Sequence, residues 1–182
     1  MNYAEIKECD IANGAGVRTS LFVSGCRHGC PGCFNEVAWS FAAGKPFTRE
    51  VEDHIIDSLR TPYVDGLSLL GGEPLEPENQ AVLAPFVERV RAEAPNKDIW
   101  LWTGFTWEDL MGDACRACTA HLDRILSCLH VLVDGPFVEA QKDITLRFRG
   151  SANQRIIDVA SSLEAGTIVG WQDGPLFARN SW

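Results

Sequence analysis

At 182 residues the chain suits one domain, or one domain with a short appendage, and its 46% apolar and 23% charged residues exclude a disordered polymer. Sixteen Lys and Arg against 25 Asp and Glu leave a net charge of −9 with no basic run, which argues against nucleic acid as a partner. No segment reaches the ~20 apolar residues of a membrane span, and the first ten residues lack the basic start and apolar run of a signal peptide. A cytoplasmic protein is therefore expected, one whose seven cysteines stay reduced and do not form a disulfide framework.

Glycine and proline divide the chain into alternating strand-like and helix-like pieces. Residues 19–23 read as a short buried strand that runs straight into Ser24-Gly25-Cys26. Thr48 can cap a helix with Val51, Ile55, Ile56 and Leu59 on one face, ended by Thr61-Pro62. Residues 66–70 form a second strand, stopped by Gly71-Gly72-Glu73-Pro74. The next helix repeats Leu83, Phe86, Val87 and Val90 at helical spacing, with Pro85 expected in its first turn or at a kink. Residues 99–102 are a third strand, Thr106 to Asp109 resembles a capping box, and residues 130–133 are a fourth strand closed by Asp134-Gly135-Pro136. Beyond Gln141 the alternation fails. Leu146-Arg147-Phe148-Arg149 alternates apolar with basic, residues 155–159 read as another strand, and residues 167–171 as an edge strand or a segment ordered by a partner.

Such alternation predicts a parallel sheet with right-handed crossovers, whose ligands collect at the carboxyl ends of the strands. The cysteine loop, Gly71-Gly72-Glu73-Pro74, Thr103-Gly104 and Asp134-Gly135 would then share one rim. The chain is too short for eight βα units. The expected fold is α/β: an incomplete TIM-like βα barrel, or a curved, mostly parallel sheet with helices outside.

Three thiols fall within eight residues, at Cys26, Cys30 and Cys33. Two glycines and a proline between them disfavour a helix and let the loop curl so that its sulfurs point inward. Three thiolates can hold three irons of a four-iron cube, leaving the fourth iron without a protein ligand, as open positions mark catalytic metal sites. A structural zinc site completed by His28 is the competing reading. Gly71-Gly72-Glu73-Pro74, one βα unit later, offers close backbone approach, carbonyls and a carboxylate suited to a positively charged amino group.

Cys26-x3-Cys30-x2-Cys33 together with Gly71-Gly72-Glu73-Pro74 resembles the radical S-adenosylmethionine superfamily. Within it, the chain is similar to the activating proteins of anaerobic ribonucleoside-triphosphate reductase. The likeness extends through Thr19-Ser20-Leu21-Phe22-Val23-Ser24-Gly25-Cys26, Lys97 to Phe105, Val131 to Phe137 and Arg149 to Arg155. It covers about residues 1–158, the expected radical S-adenosylmethionine domain, and leaves residues 159–182 as an extension. The resemblance implies that Cys26, Cys30 and Cys33 bind a [4Fe–4S] cluster and that S-adenosylmethionine chelates its open iron. Gly32, Cys33 and Phe34 would border that cofactor, with Phe34 near the adenine, and Gly71, Gly72 and Glu73 would hold its amino group. It further implies reductive cleavage to a 5′-deoxyadenosyl radical and a glycyl radical left on the reductase, with reduced flavodoxin as electron donor. The residue before the third cysteine is Gly32, where many superfamily members have an aromatic, and Phe34 follows it, as in the activating-protein subgroup. The alternatives are another small radical S-adenosylmethionine enzyme, such as a formate-lyase-type activase or a deazaguanine-forming synthase, and a metal-stabilised binding module.

Other residues admit two readings each. Cys115-Arg116-Ala117-Cys118, with Cys128, fits either an auxiliary metal site or helix packing. Arg147 and Arg149 would share one face of a strand, toward a cofactor carboxylate or toward solvent. Asn13 with Gly14 and Gly16 is a turn beside the cluster or a plain reversal. Asp134 is a ribose or partner contact, or a turn cap. Trp102 is the tryptophan expected nearest the site.

Overall fold

The computed structural model describes residues 1–172. Strands β1 (Asn2–Asp10), β2 (Arg18–Val23), β3 (Lys45–Pro46), β4 (Gly66–Gly71), β5 (Asp98–Trp102), β6 (Val131–Asp134) and β7 (Arg155–Asp158) form a single sheet. Its order is β3-β1-β2-β4-β5-β6-β7. The helices are α1 (Arg49–Leu59), α2 (Pro77–Glu93), α3 (Trp107–Met111), α4 (Leu122–Leu126) and α5 (Val159–Ala165).

The middle of the sheet is parallel: β2, β4, β5 and β6 are neighbours in that order. Helical segments lie between the consecutive parallel strands, as parallel pairing requires. Both flanks are antiparallel, because β1 returns into β2 through a short glycine-rich reversal and β7 follows β6 without a crossover helix. The outermost strands β3 and β7 do not meet, so the sheet is open. β1 was not expected. Five of its nine residues are exposed and it shows no regular two-residue alternation; its pairing with β2 makes it a strand.

Side chains alternate across the parallel strands. Leu21, Val23, Leu67, Leu69, Ile99, Leu101 and Leu132 join the buried faces of α1, α2 and α4 in one large core. On the other face Trp100, Val131 and Val133 pack with Trp102, Phe148 and Trp171. Arg18 is fully buried; its guanidinium donates to Ser68 Oγ and to the Ala15 and Leu67 carbonyls, and pairs with Asp98. No helix among the described residues is long and apolar enough to cross a membrane.

The capping box forms as read: Thr106 Oγ1 accepts from the Asp109 amide at 3.2 Å, and the Asp109 carboxylate accepts from the Thr106 amide at 2.9 Å. Thr48 sits at the N-cap of α1 in extended conformation, without a side-chain capping bond. Helix α2 runs through Pro85, which lies in its interior and not in its first turn. Residues 146–149 are not a strand. They bend, with Phe148 at φ +59°, so Arg147 and Arg149 do not share a strand face. Residues 159–165 turn into α5, and residues 169–171 then lie against β7, with Gly170 bridging Ile157 and Trp171 edge-on to Trp100 at 4.8 Å. The rest of the extension, residues 173–182, lies outside the described residues.

Candidate functional site

The four parallel strands deliver their carboxyl ends to one cavity of about 350 Å³. Cys26, Cys30 and Cys33 line it from the loop after β2, and Gly71, Gly72 and Glu73 from the end of β4. Trp102, Thr103 and Gly104 enter from β5 and Gly135 from the end of β6. The shared rim expected from strand order is therefore present. Asn13 also lines the cavity from the reversal between β1 and β2.

Backbone contacts hold the cysteine loop against the glycine turn. The amides of Gly72 and Glu73 donate to the carbonyls of Val23 and Gly25 at 2.7 and 2.8 Å, and the Cys26 amide donates to Trp39 O at 3.0 Å. Here the glycines have a specific job. Gly71 has φ +106°, and a Cβ there would come within 2.8 Å of the Val23 backbone; one on Gly72 would come within 2.7 Å of Gly25 O. The close approach that two glycines permit is used first by the neighbouring loop.

Glu73 is 1% exposed, and the fold supplies four donors to its carboxylate. Oε1 accepts from the Leu75 amide at 2.8 Å and Thr103 Oγ1 at 2.9 Å. Oε2 accepts from the Gly104 amide at 2.7 Å and lies 2.9 Å from His28 Nε2. His28 also packs edge-on against Phe105, with centroids 4.6 Å apart, so its imidazole is engaged on β4 and β5 and not offered to the thiols.

A second carboxylate, Glu76, is fully buried beneath the loop. It accepts from the Arg27 amide at 2.8 Å and from the Arg27 guanidinium at 2.7 Å, and pairs with Arg116 at 3.0 Å. Burial alone would raise its pKa, but hydrogen bonds from Arg116 and Arg27 outweigh burial and hold it below the ordinary value. Sequence reading missed both carboxylate hubs as structural anchors, because their partners lie far away in the chain.

The three thiols are half-buried. Burial, reinforced by the Glu73 and Glu76 carboxylates, pushes Cys26 up to about 11, and burial raises Cys30 as well. A cation that replaces the protons relieves that cost. Among the described residues, no three Cys, His, Asp or Glu converge closely enough to hold a single metal ion. Three thiols on one cavity are a donor set that iron–sulfur clusters use, and the other four cysteines do not line this cavity. The donor set fits an iron–sulfur cluster. Two buried donors in the wall, Arg149 Nε and Trp39 Nε1, have no hydrogen-bond partner among the described residues. Unsatisfied buried donors call for an acceptor, and a ligand carboxylate is one.

The remaining candidates separate. Phe34 stands at the mouth, 64% exposed, with its ring 5.2 Å from Phe137 and Lys142 over its face. Gly32 lies outside the cavity wall, where a Cβ would meet the Glu139 carboxylate at 2.9 Å. Trp102 lines the cavity and donates to Phe148 O at 2.8 Å, and Trp39 lines it as well. Asp134 is fully buried and does not line the cavity. It accepts from the Trp107 amide at 2.7 Å and pairs with Arg155, which is the capping role. Cys115 and Cys118 lie on a turn between α3 and α4, not on a helix, and no third metal-ligating side chain joins them among the described residues.

The sequence profile of the 4Fe-4S single cluster domain matches residues 12–157. A protein of Pasteurella multocida (strain Pm70) is 47% identical over 158 residues, 86% of this chain and 96% of its own length. A protein of Escherichia coli (strain K12) is 45% identical over 156 residues, 85% of this chain and 96% of its own. One from Enterobacteria phage T4 is 39% identical over 158 residues, 86% of this chain and 93% of its own. Each is named anaerobic ribonucleoside-triphosphate reductase-activating protein. With an iron–sulfur domain profile over most of its length and relatives 39–47% identical over 85–86% of it, the chain belongs to the anaerobic ribonucleoside-triphosphate reductase-activating protein family.

Proposed function

We propose that this protein is a radical S-adenosylmethionine activase that installs a glycyl radical on an anaerobic ribonucleoside-triphosphate reductase. The observation that carries this reading is the grouping of Cys26, Cys30 and Cys33 with Gly71, Gly72 and Glu73 around one cavity at the carboxyl ends of the parallel strands. In this reading the four parallel strands and their helices are the partial barrel of the radical S-adenosylmethionine fold, carried by residues 1–158.

Cys26, Cys30 and Cys33 would hold a [4Fe–4S] cluster by three corners. Cys33 and Phe34 would border S-adenosylmethionine, with the exposed Phe34 ring available to its adenine, while Gly32, outside the cavity wall, would shape the left-handed turn that presents them. Gly71, Gly72 and Glu73 would hold its amino group, and the unpartnered Arg149 donor suits its carboxylate. When bound, the cluster supplies the electron that breaks the S–C5′ bond and so starts hydrogen abstraction from a backbone glycine of the reductase. The chain's own contribution is positional. Glu73 and Glu76 fix the segment of the cysteine loop just after Cys26 through His28 and Arg27, and Trp102, Phe137 and Phe148 wall the cavity. A low-potential donor such as reduced flavodoxin completes the scheme.

Anaerobic reconstitution followed by assay for 5′-deoxyadenosine, with and without the reductase, tests it. About four irons with matching sulfide, 5′-deoxyadenosine, and a glycyl radical signal only when the reductase is present are expected. One zinc and no sulfide would instead identify a metal-stabilised binding module. Cofactor cleavage that never yields a glycyl radical would assign another small radical S-adenosylmethionine enzyme.

A further inference from the structure

Away from the cavity, the connection between α3 and α4 brings two thiols together. Cys115 Sγ and Cys118 Sγ are 3.1 Å apart. The Cys115 carbonyl accepts from the Cys118 amide at 3.0 Å, closing a turn over Arg116 and Ala117. A β-turn keeps its first and fourth Cα atoms within about 7 Å, and disulfides bridge Cα separations of about 4.4–6.8 Å. The backbone is thus already shaped for a bond between these two sulfurs. Both residues are half-buried, so a small reagent has access, whereas Cys128 is buried. No third Cys, His, Asp or Glu joins the pair among the described residues, which leaves it without the ligands of a metal site in this chain.

We propose that Cys115 and Cys118 form a redox-active dithiol that closes to an intramolecular disulfide by exchange with a low-molecular-weight disulfide. One protein thiolate attacks the small disulfide, breaking its S–S bond, forming a mixed disulfide and releasing one small thiol. The second protein thiolate attacks the protein-side sulfur, forming the Cys115–Cys118 bond and releasing the other small thiol. Two protein thiols are oxidised, one small disulfide is reduced, and the two protons leave on the released thiols. Burial and the hydrogen bond with Cys118 raise the Cys115 thiol.

The position of this pair gives the bond a route to the cysteine loop. Arg116, between the two thiols, lies over the Phe105 ring at 4.7 Å and pairs with Glu76, and Glu76 accepts from the amide of Arg27, the neighbour of Cys26. Ala117 is buried, and its carbonyl accepts from Gln80 Nε2 at 2.7 Å, so the turn cannot swing freely when the bond forms.

The test equilibrates the reconstituted holoprotein anaerobically in a graded series of oxidised to reduced glutathione, quenches it with N-ethylmaleimide and maps tryptic peptides by mass. Trypsin cuts after Arg116, so the reduced turn yields two alkylated peptides and the oxidised turn one linked pair. Conversion from the first pattern to the second across the series is expected, and Cys115→Ser should leave Cys118 carrying glutathione. Separate alkylated peptides at every ratio, or glutathione on each thiol without a linked product, would overturn the proposal. Protection of both thiols from alkylation that a chelator relieves would also overturn it, by identifying a metal shared with another molecule.

Discussion

His28 Nε2 lies 2.9 Å from the Glu73 carboxylate, so one hydrogen bond ties the middle of the cysteine loop to the turn that ends β4. Leu75, Thr103 and Gly104 supply the other three donors, which fixes the carboxylate before any ligand arrives. His28 is thus a positioning residue for the loop. Outer partners of a metal site typically contribute 10–100-fold to metal affinity or activity. His28→Ala should therefore hasten iron loss to a chelator by about tenfold or more, and His28→Gln, which keeps a donor at similar reach, should recover most of it. Equal rates of iron loss in parent and His28→Ala protein would remove this role.

The buried Glu76 gathers Arg27 and Arg116, and its removal leaves both cations without their common partner. Glu76→Ala should destabilise the metal-free protein by about 1–3 kcal/mol, read as a lower urea midpoint.

The same carboxylate predicts a pH dependence. Folding lowers its pKa, so its stabilisation is whole above the ordinary value of 4.5 and is lost as pH falls through the folded value. As pH falls below 4.5 the parent should lose stability more steeply than Glu76→Gln. Parallel curves for the two proteins would show that this carboxylate does not titrate differently on folding.

Gly71 combines a left-handed backbone with contact to β2. Its φ of +106° is costly for an L side chain, and an added Cβ would press on the Val23 backbone at 2.8 Å. Gly71→Ala should cost about 1–3 kcal/mol, lowering the melting temperature of the metal-free protein by about 2–4 °C per kcal/mol. It should also impair cluster loading, because the displaced strand end carries the cysteine loop.

Asp134 anchors α3 and Arg155 from a fully buried position. Asp134→Ala leaves the Trp107 amide without its acceptor and Arg155 with Glu108 alone, a loss of about 1–3 kcal/mol. Asp134→Asn, which keeps an acceptor for Trp107, should cost less. If cofactor binding by the folded Asp134→Asn protein fell sharply while stability held, Asp134 would have a role at the site after all.

Local pattern was enough for much of this protein. Apolar runs bounded by glycine and proline marked the four parallel strands, and the thiol spacing marked the loop, because both signals reside in neighbouring residues. Strand order then placed Cys26, Gly71, Thr103 and Gly135 on one rim, since consecutive parallel strands all end on the same side. Local pattern failed where long-range pairing decides the outcome. The polar strand β1 exists through β2, the alternating residues 146–149 bend instead of extending, and Asp134 meets Arg155 and does not line the cavity. The anchoring of Glu73 by His28, of Glu76 by Arg27 and Arg116, and the turn that joins Cys115 to Cys118 arise only on folding. Hydrogen bonds and ion pairs act over about 3 Å in space, and 45 residues of chain separate His28 from Glu73 until the sheet brings them together.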